Sequence, residues 1–285
     1  MSDLKLDYAV PGAAMVDYVT LFYWFRADVP LLEDVERADH AQIRFPLTFG
    51  GAEYSFADGN VQTTTGPHII GPTTGACQVR AVGPIRLFGA GITPAGWAAL
   101  VGNDASAMIN RVIELDDLFG ATVADAIPKL QAASDDFQAL VACGETILGA
   151  LIGGGRRGTL EFVRRVDAWL STDTSPDIAD LAAATGLSAR SLERKCRALY
   201  GAPPKLLARK YRALRAAVSL VADGASIDEV IGRGFYDQAH LNREIKQFTG
   251  FTPRQMIDEP SLLARLTIAQ RYALGGRVHP VISDT

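Results

Sequence analysis

The 285-residue sequence is poor in cysteine, in histidine and in long apolar runs, and each shortage excludes a class of protein. Its three cysteines, Cys77, Cys143 and Cys196, lie far apart. They allow neither a disulfide framework nor a metal cage at CxxC spacing, and they fit a reducing compartment. The front half has only His40 and His68, with no HxH pair, so a cluster of imidazoles for a metal is missing and no cofactor is expected. No stretch approaches the ~18 uninterrupted apolar residues of a membrane span, and Met1 to Val10 has no basic region followed by an apolar one. The expectation is a cytoplasmic protein with no membrane partner. Gly89-Ala90-Gly91 is not continued as GxGxxG, nor closed by Lys-Ser/Thr, so a strand irregularity is a better reading than a phosphate loop.

Asp116-Asp117 and Asp135-Asp136 stand where helices are about to begin, which makes them caps rather than paired acid/base carboxylates. Without a nucleophile, a base constellation or a metal cluster, an enzyme is not expected.

The net charge of −4 conceals a division. Residues 1–155 hold 8 basic against 18 acidic side chains, and residues 156–285 hold 20 against 14, or −10 followed by +6. Two jobs on one chain are implied, and the whole-chain charge is no argument against nucleic acid.

Short strands separated by Gly and Pro fill the first ninety residues. Ile43, Phe45, Leu47 and Phe49 alternate with polar or small neighbours, and similar runs cover Val19 to Phe25, Glu53 to Phe56, Val61 to Thr65, His68 to Gly71, Cys77 to Val82 and Ile85 to Ile92. An antiparallel barrel or sandwich is expected. In Phe22-Tyr23-Trp24-Phe25 the rings must alternate between faces, and Tyr23, Phe25, Phe45 and Trp97 are candidates to line an effector pocket.

Helical spacing begins at Thr93-Pro94 and predicts helices over Ser106 to Leu115, Val123 to Leu130 and Asp135 to Ile152. Gly153-Gly154-Gly155 cannot hold a helix at roughly 1 kcal/mol per glycine, so residues 153–158 are expected to be a linker. The rest is helical in pattern: Leu160 to Leu170, Ile178 to Ala184, Ser188 to Tyr200, Pro204 to Val221, Ile227 to Gly232, Asp237 to Phe248 and Pro260 to Tyr272. A loosely held tail is expected from Gly275.

Superposing Leu192 on Leu241, an offset of 49 residues, exposes a duplication. Arg194 then matches Arg243, Arg197 matches Lys246, Gly201 matches Gly250 and Pro204 matches Pro253. Each copy reads as helix, turn and helix: Gly186 turns and Ser188 caps in the first, Gly234 turns and Asp237 caps in the second, with Ser226 and Glu229 as a capping box. Apolar Leu192, Cys196 and Leu199, and likewise Leu241, Ile245 and Phe248, mark the buried faces. That leaves Arg190, Glu193, Arg194 and Arg197 in one copy, and Gln238, Ala239, Asn242, Arg243 and Lys246 in the other, available to the major groove. His240 is placed to touch a phosphate or to cap locally. Lys205, Arg209, Lys210, Arg212 and Arg215 form an acid-free run between the copies, with Lys210 a candidate phosphate contact.

Gly234-Phe235-Tyr236-Asp237-Gln238-Ala239-His240-Leu241-Asn242-Arg243, followed by Phe248-Thr249-Gly250-Phe251-Thr252-Pro253, resembles the signature of the AraC family of transcriptional regulators. The resemblance covers about residues 160–258. It implies a seven-helix domain whose two helix-turn-helix units read successive major-groove segments of double-stranded DNA. Gly89 to Leu100 and Arg111 to Gly120 resemble the cupin-like domain that precedes such DNA-binding domains, although Gly91-Ile92-Thr93 replaces the arginines usual there. The implied protein is α+β, with a sensor or dimerisation domain over 1–152, a linker over 153–158, a DNA-binding domain over 159–258 and an extension over 259–285. A small-molecule effector, RNA polymerase and a second copy of the chain are its candidate partners, and activation and repression both stay open. The alternative is a constitutive regulator whose front domain serves only in protein interaction.

Overall fold

The computed structural model describes residues 4–152, 157–173 and 175–285. The glycines of the expected linker at 153–155, with Arg156, lie outside the described residues, and positions 157 and 158 already belong to a helix.

Among the described residues, the front of the chain forms ten strands: β1 Leu4–Ala9, β2 Val19–Ala27, β3 Leu31–Glu36, β4 Ala41–Pro46, β5 Ala52–Phe56, β6 Val61–Thr64, β7 His68–Ile70, β8 Cys77–Val82, β9 Ile85–Ile92 and β10 Val112–Glu114. They make two antiparallel sheets, ordered β1-β2-β9-β4-β7-β10 and β3-β8-β5-β6. Of the two architectures expected, the sandwich is the one formed, and no closed barrel is. The irregularity expected at Gly89-Ala90-Gly91 is a shift in the β2–β9 register between Val19 and Phe22, opposite Gly91.

The larger sheet is buried on both faces, which the alternation along β2 makes possible. Phe22 and Trp24 join Ile43, Phe45, Phe88 and Ile92 beneath a layer of helices. Tyr23 and Phe25 point the other way, toward Leu32 of the smaller sheet. The helical layer is α1 Pro94–Leu100, α2 Leu115–Phe119, α3 Ala126–Ala132 and α4 Phe137–Leu151. Thr93 caps α1 and Asp136 caps α4, as expected, whereas Asp116 and Asp117 occupy the first turn of α2 without capping it. The helix expected over Ser106 to Leu115 is not formed. That stretch is a 3-10 turn at Ala105–Met108 followed by β10, because Val112, Ile113 and Glu114 find the free edge of β7.

The described helices that follow are α5 Arg157–Thr172, α6 Ile178–Thr185, α7 Ala189–Tyr200, α8 Pro204–Val221, α9 Ile227–Gly232, α10 Gln238–Thr249, α11 Pro253–Asp258, α12 Leu262–Tyr272 and α13 Pro280–Ser283. Phe162, Val166, Leu181, Leu192 and Leu207 form one core, and Val218, Val230, Leu241, Ile245 and Met256 form a second, one beneath each copy of the repeat. Unlike the loose tail expected from Gly275, Val281, Ser283 and Thr285 are 2–3% exposed, with Val281 packed into the first of these cores.

Candidate nucleic-acid interface and the cavity behind it

Helices α6 and α7 make the first helix-turn-helix. Gly186 ends α6 in the left-handed region at φ +68°, and Ser188 Oγ accepts from Ser191 N to start α7. The second unit repeats the device with α9 and α10, where Ser226 and Glu229 form the capping box and Asp237 accepts from His240 N. Leu192, Cys196, Leu241, Ile245 and Phe248 are fully buried. Their burial turns the opposite faces outward. Arg190, Glu193, Arg194, Arg197, Gln238, Ala239, Arg243 and Lys246 are exposed, and Asn242 and His240 half-buried.

Three of these side chains have local partners. Arg197 Nη2 donates to Glu193 Oε1 at 2.9 Å, so the acid in the first head neutralises its neighbour one turn on. His240 Nδ1 accepts from Tyr236 N at 3.1 Å, a local tie. Tyr236 itself is 91% exposed beside the start of α10 and enters the candidate interface. Sequence reasoning passes over it because an aromatic between Phe235 and Asp237 reads as core.

The basic run on α8 is a correction. Lys210 is 5% exposed and does not face solvent; its Nζ donates to the carbonyls of Asp39 at 3.1 Å and Thr73 at 3.4 Å, and burial lowers its pKa to about 8. Arg209 Nη2 donates to Glu244 Oε1 at 2.6 Å, Arg212 to Ser175 Oγ, and Arg215 to the carbonyls of Leu170 and Asp173. Only Lys205 of the five is exposed. The helix spends its cations on bracing the fold because it is packed on several sides, by α10, α11, α9 and the sandwich, a circumstance no charge count reveals.

Behind the heads lies a cavity of about 150 Å³ between the two sheets, closed on one side by α8, α11 and α12. Tyr23 and Phe25 line it. Phe45 and Trp97 do not. Both lie on the far face of the larger sheet, in the core beneath α1–α4, because Phe45 stands opposite Phe88 in the register and so shares its face. The cavity's polar floor is Arg44, which donates to Tyr23 Oη at 3.1 Å, Tyr54 Oη at 3.0 Å and Glu36 Oε2 at 2.8 Å. Tyr54 Oη meets His68 Nε2 at 3.0 Å, and burial drives the His68 pKa down to about 3, so this imidazole is neutral.

At the helical end of the cavity, two guanidinium groups share one carboxylate. Arg271 Nη2 lies 2.6 Å and Arg37 Nη2 3.5 Å from Asp39 Oδ2. Burial alone would raise the Asp39 pKa, but Arg271 and then Arg37 hold it well below the usual carboxylate range. Arg37 Nε, Arg37 Nη1 and Arg271 Nε are buried without an acceptor, and burial with the Arg271 charge lowers the Arg37 pKa to about 10. With Lys210 close by, the local balance is positive. Sequence reasoning misses this cluster, since Arg37 and Asp39 look like ordinary loop charges and Arg271 belongs to a distant helix. Among the described residues no group of three or more His, Cys, Asp or Glu side chains is placed to hold a metal ion, and no helix is long and apolar enough to cross a membrane.

Residues 181–259 match the family described as helix-turn-helix domain. No curated protein matches the chain. Among solved structures, the chain is similar to ToxT from Vibrio cholerae O395 at 10% identity and a TM-score of 0.43, over 81% of this chain and 99% of that one. It is similar to wild-type ToxT from Vibrio cholerae strain SCE256 with bound unsaturated fatty acid at 14% and 0.43, over 80% and 94%, and to the AraC-like transcriptional activator CuxR at 14% and 0.30, over 80% and 91%. Residues 181–259 thus hold a helix-turn-helix domain, present as two tandem units, α6–α7 and α9–α10.

Proposed function

We propose that this protein is a cytoplasmic, sequence-specific transcription regulator that binds double-stranded DNA through both helix-turn-helix units and takes a small effector in the cavity behind them. The observation that carries the DNA reading is the paired outward faces. Arginines, glutamine and asparagine stand at the early positions of α7 and α10, where they can meet guanine O6/N7 and adenine N6/N7, while the large apolar side chains of both helices are turned inward. The effector's chemistry follows from the cavity: apolar walls, with a pair of buried guanidiniums that carry more charge and more N–H donors than Asp39 satisfies. An apolar molecule with a carboxylate head supplies both the acceptor and the missing charge.

The test is selection of duplexes from a random pool by the full chain, followed by thermal melting with dodecanoate and with neutral dodecanol. A two-box site and a melting temperature raised by dodecanoate alone are expected. No enriched site would remove the DNA reading, and equal effects of the acid and the alcohol would remove the anionic head. Control further requires dodecanoate to alter affinity for the selected site, since an effector that favours no state shifts none.

A further inference from the structure

The duplication places Gly201 and Gly250 at the same position of the two units, as the left-handed caps of α7 and α10, at φ +76° and +84°. Both abut the sandwich. A Cβ on Gly201 would stand 3.0 Å from Ile109 Cγ1 and 3.3 Å from Pro72 Cβ, and one on Gly250 would stand 2.5 Å from Val35 Cγ1 and 3.2 Å from Ala76 Cβ. One five-residue segment, Pro72–Ala76, therefore runs from the end of one reading helix to the end of the other. Ala76 N donates to Gln247 O at 2.9 Å at the second head, and Lys210 of the linking helix α8 donates to Thr73 O midway.

The segment is held tightly from behind. Asn110, 2% exposed and at φ +52°, accepts from Thr74 N at 3.1 Å, donates to Thr74 Oγ1 at 3.1 Å and gives its own N–H to Pro72 O. Thr73 is tied twice to Asp39, through Asp39 N to Thr73 Oγ1 at 2.8 Å and Thr73 N to Asp39 O at 3.2 Å. Asp39 is the residue whose carboxylate lies between Arg37 and Arg271 at the cavity.

We propose that Pro72–Ala76 is a strap that fixes the orientation of the two reading heads relative to each other, so that the cavity governs DNA binding through head geometry and leaves the reading faces uncovered. The inference rests on the reading above for its DNA and effector, and on three observations of its own. The sandwich touches both heads at repeat-equivalent caps, the candidate base-reading side chains other than half-buried Asn242 stay exposed with the sandwich in place, and the strap's anchor is a residue of the cavity. An effector carboxylate that draws Arg37 or Arg271 away from Asp39 moves the anchor, and the strap carries that displacement to both heads at once.

The test compares the full chain with Asn110→Gly, which keeps the left-handed backbone and removes the side-chain amide, and with Thr73→Val, which removes the hydroxyl that accepts from Asp39 N and leaves the backbone tie. Head separation is read by spin labels on Ala183→Cys and Asp228→Cys in a Cys143→Ser background. Affinity is measured for the selected two-box site and for the same site with one extra base pair between boxes. The wild type should give a narrow distance distribution and discriminate between the two sites by about fivefold or more. Each strap variant, folded as judged by its melting transition, should broaden the distribution and lose most of that discrimination, with single-box affinity unchanged. An unchanged distribution, or unchanged discrimination, in whichever variant folds overturns the strap. Loss of single-box binding in the wild type instead overturns the DNA reading, and the distance measurement still decides the strap.

Discussion

Asp39 and Arg271 are 232 residues apart in the chain and 2.6 Å apart in the structure. The contact ties the connection between β3 and β4 to the last turn of α12, a helix that begins after the helix-turn-helix family match ends. Leu263 and Leu266 of the same helix pack against the core formed by Leu6, Tyr23, Phe25 and Leu32, so α12 closes the open end of the sandwich and bounds the cavity. Because Asp39 is pledged to Arg271, Arg37 is left with the weaker share.

Arg37→Gln is therefore expected to remove the dodecanoate-dependent rise in melting temperature while leaving the free protein at least as stable. A buried cation with two unsatisfied nitrogens is a cost in the empty cavity and an asset only when an anion arrives. Melting curves of both chains with and without dodecanoate check this. A variant that keeps the full ligand shift would place the anion elsewhere.

Arg243→Ala should weaken binding to the selected site by about 1 to 3 kcal/mol and relax preference at one base position, since Arg243 is exposed on the reading face of α10 without a role in the core. Repeating the selection with the variant measures both effects; an unchanged motif at unchanged affinity would show that Arg243 reads no base.

For Lys210 the structure reverses what a charge run suggests. Lys210→Met should leave the salt dependence of DNA binding unaltered, because the ammonium faces backbone carbonyls of Asp39 and Thr73. The folded pKa of about 8 lies below the unfolded 10.5, so the unfolded chain holds the proton longer and stability rises as pH climbs from about 8 to 10.5. The methionine variant should lose that rise. A salt slope flattened by a full unit would return Lys210 to the phosphates.

Asp167 offers a second linkage. Burial lifts its pKa from 3.8 to about 7, against the opposing pull of Tyr200 Oη, which donates to its carboxylate at 2.8 Å. The folded chain keeps a proton that the unfolded chain releases, so stability falls as pH rises from 3.8 through 7 and stays low beyond. Asp167→Asn, which keeps an acceptor for Tyr200 and cannot ionise, should stabilise the protein at pH 8 by on the order of 3 kcal/mol and little at pH 4. Denaturant melts at the two pH values decide it; equal shifts at both would mean that ionisation is not the cause.

Much of the fold is legible in the sequence because it is local. Cap residues, turn glycines and the apolar stripes of α7 and α10 are written within a dozen residues, and the 49-residue duplication supports each copy by the other. The strands β2 and β4–β9 are likewise marked as short runs between Gly and Pro, with clear alternation in β4, but β1, β3 and β10 are not. Their side chains are only partly buried, Leu6 and Leu32 excepted, so the period-two contrast is weak.

Periodicity and composition suffice for the double helix-turn-helix, its outward residues and the acidic-to-basic division of the chain. Which cations are free and which are spent is a matter of tertiary structure alone. Lys210 reads in the sequence as a phosphate contact and Arg37 as an ordinary loop charge, yet one is fixed to two carbonyls and the other faces a cavity short of acceptors. A side chain's partners are set by long-range packing, and so is the face of β4 that turns Phe45 away from the cavity. The residue that completes the cluster at Asp39 comes from 232 positions further on, a separation across which no local pattern carries information.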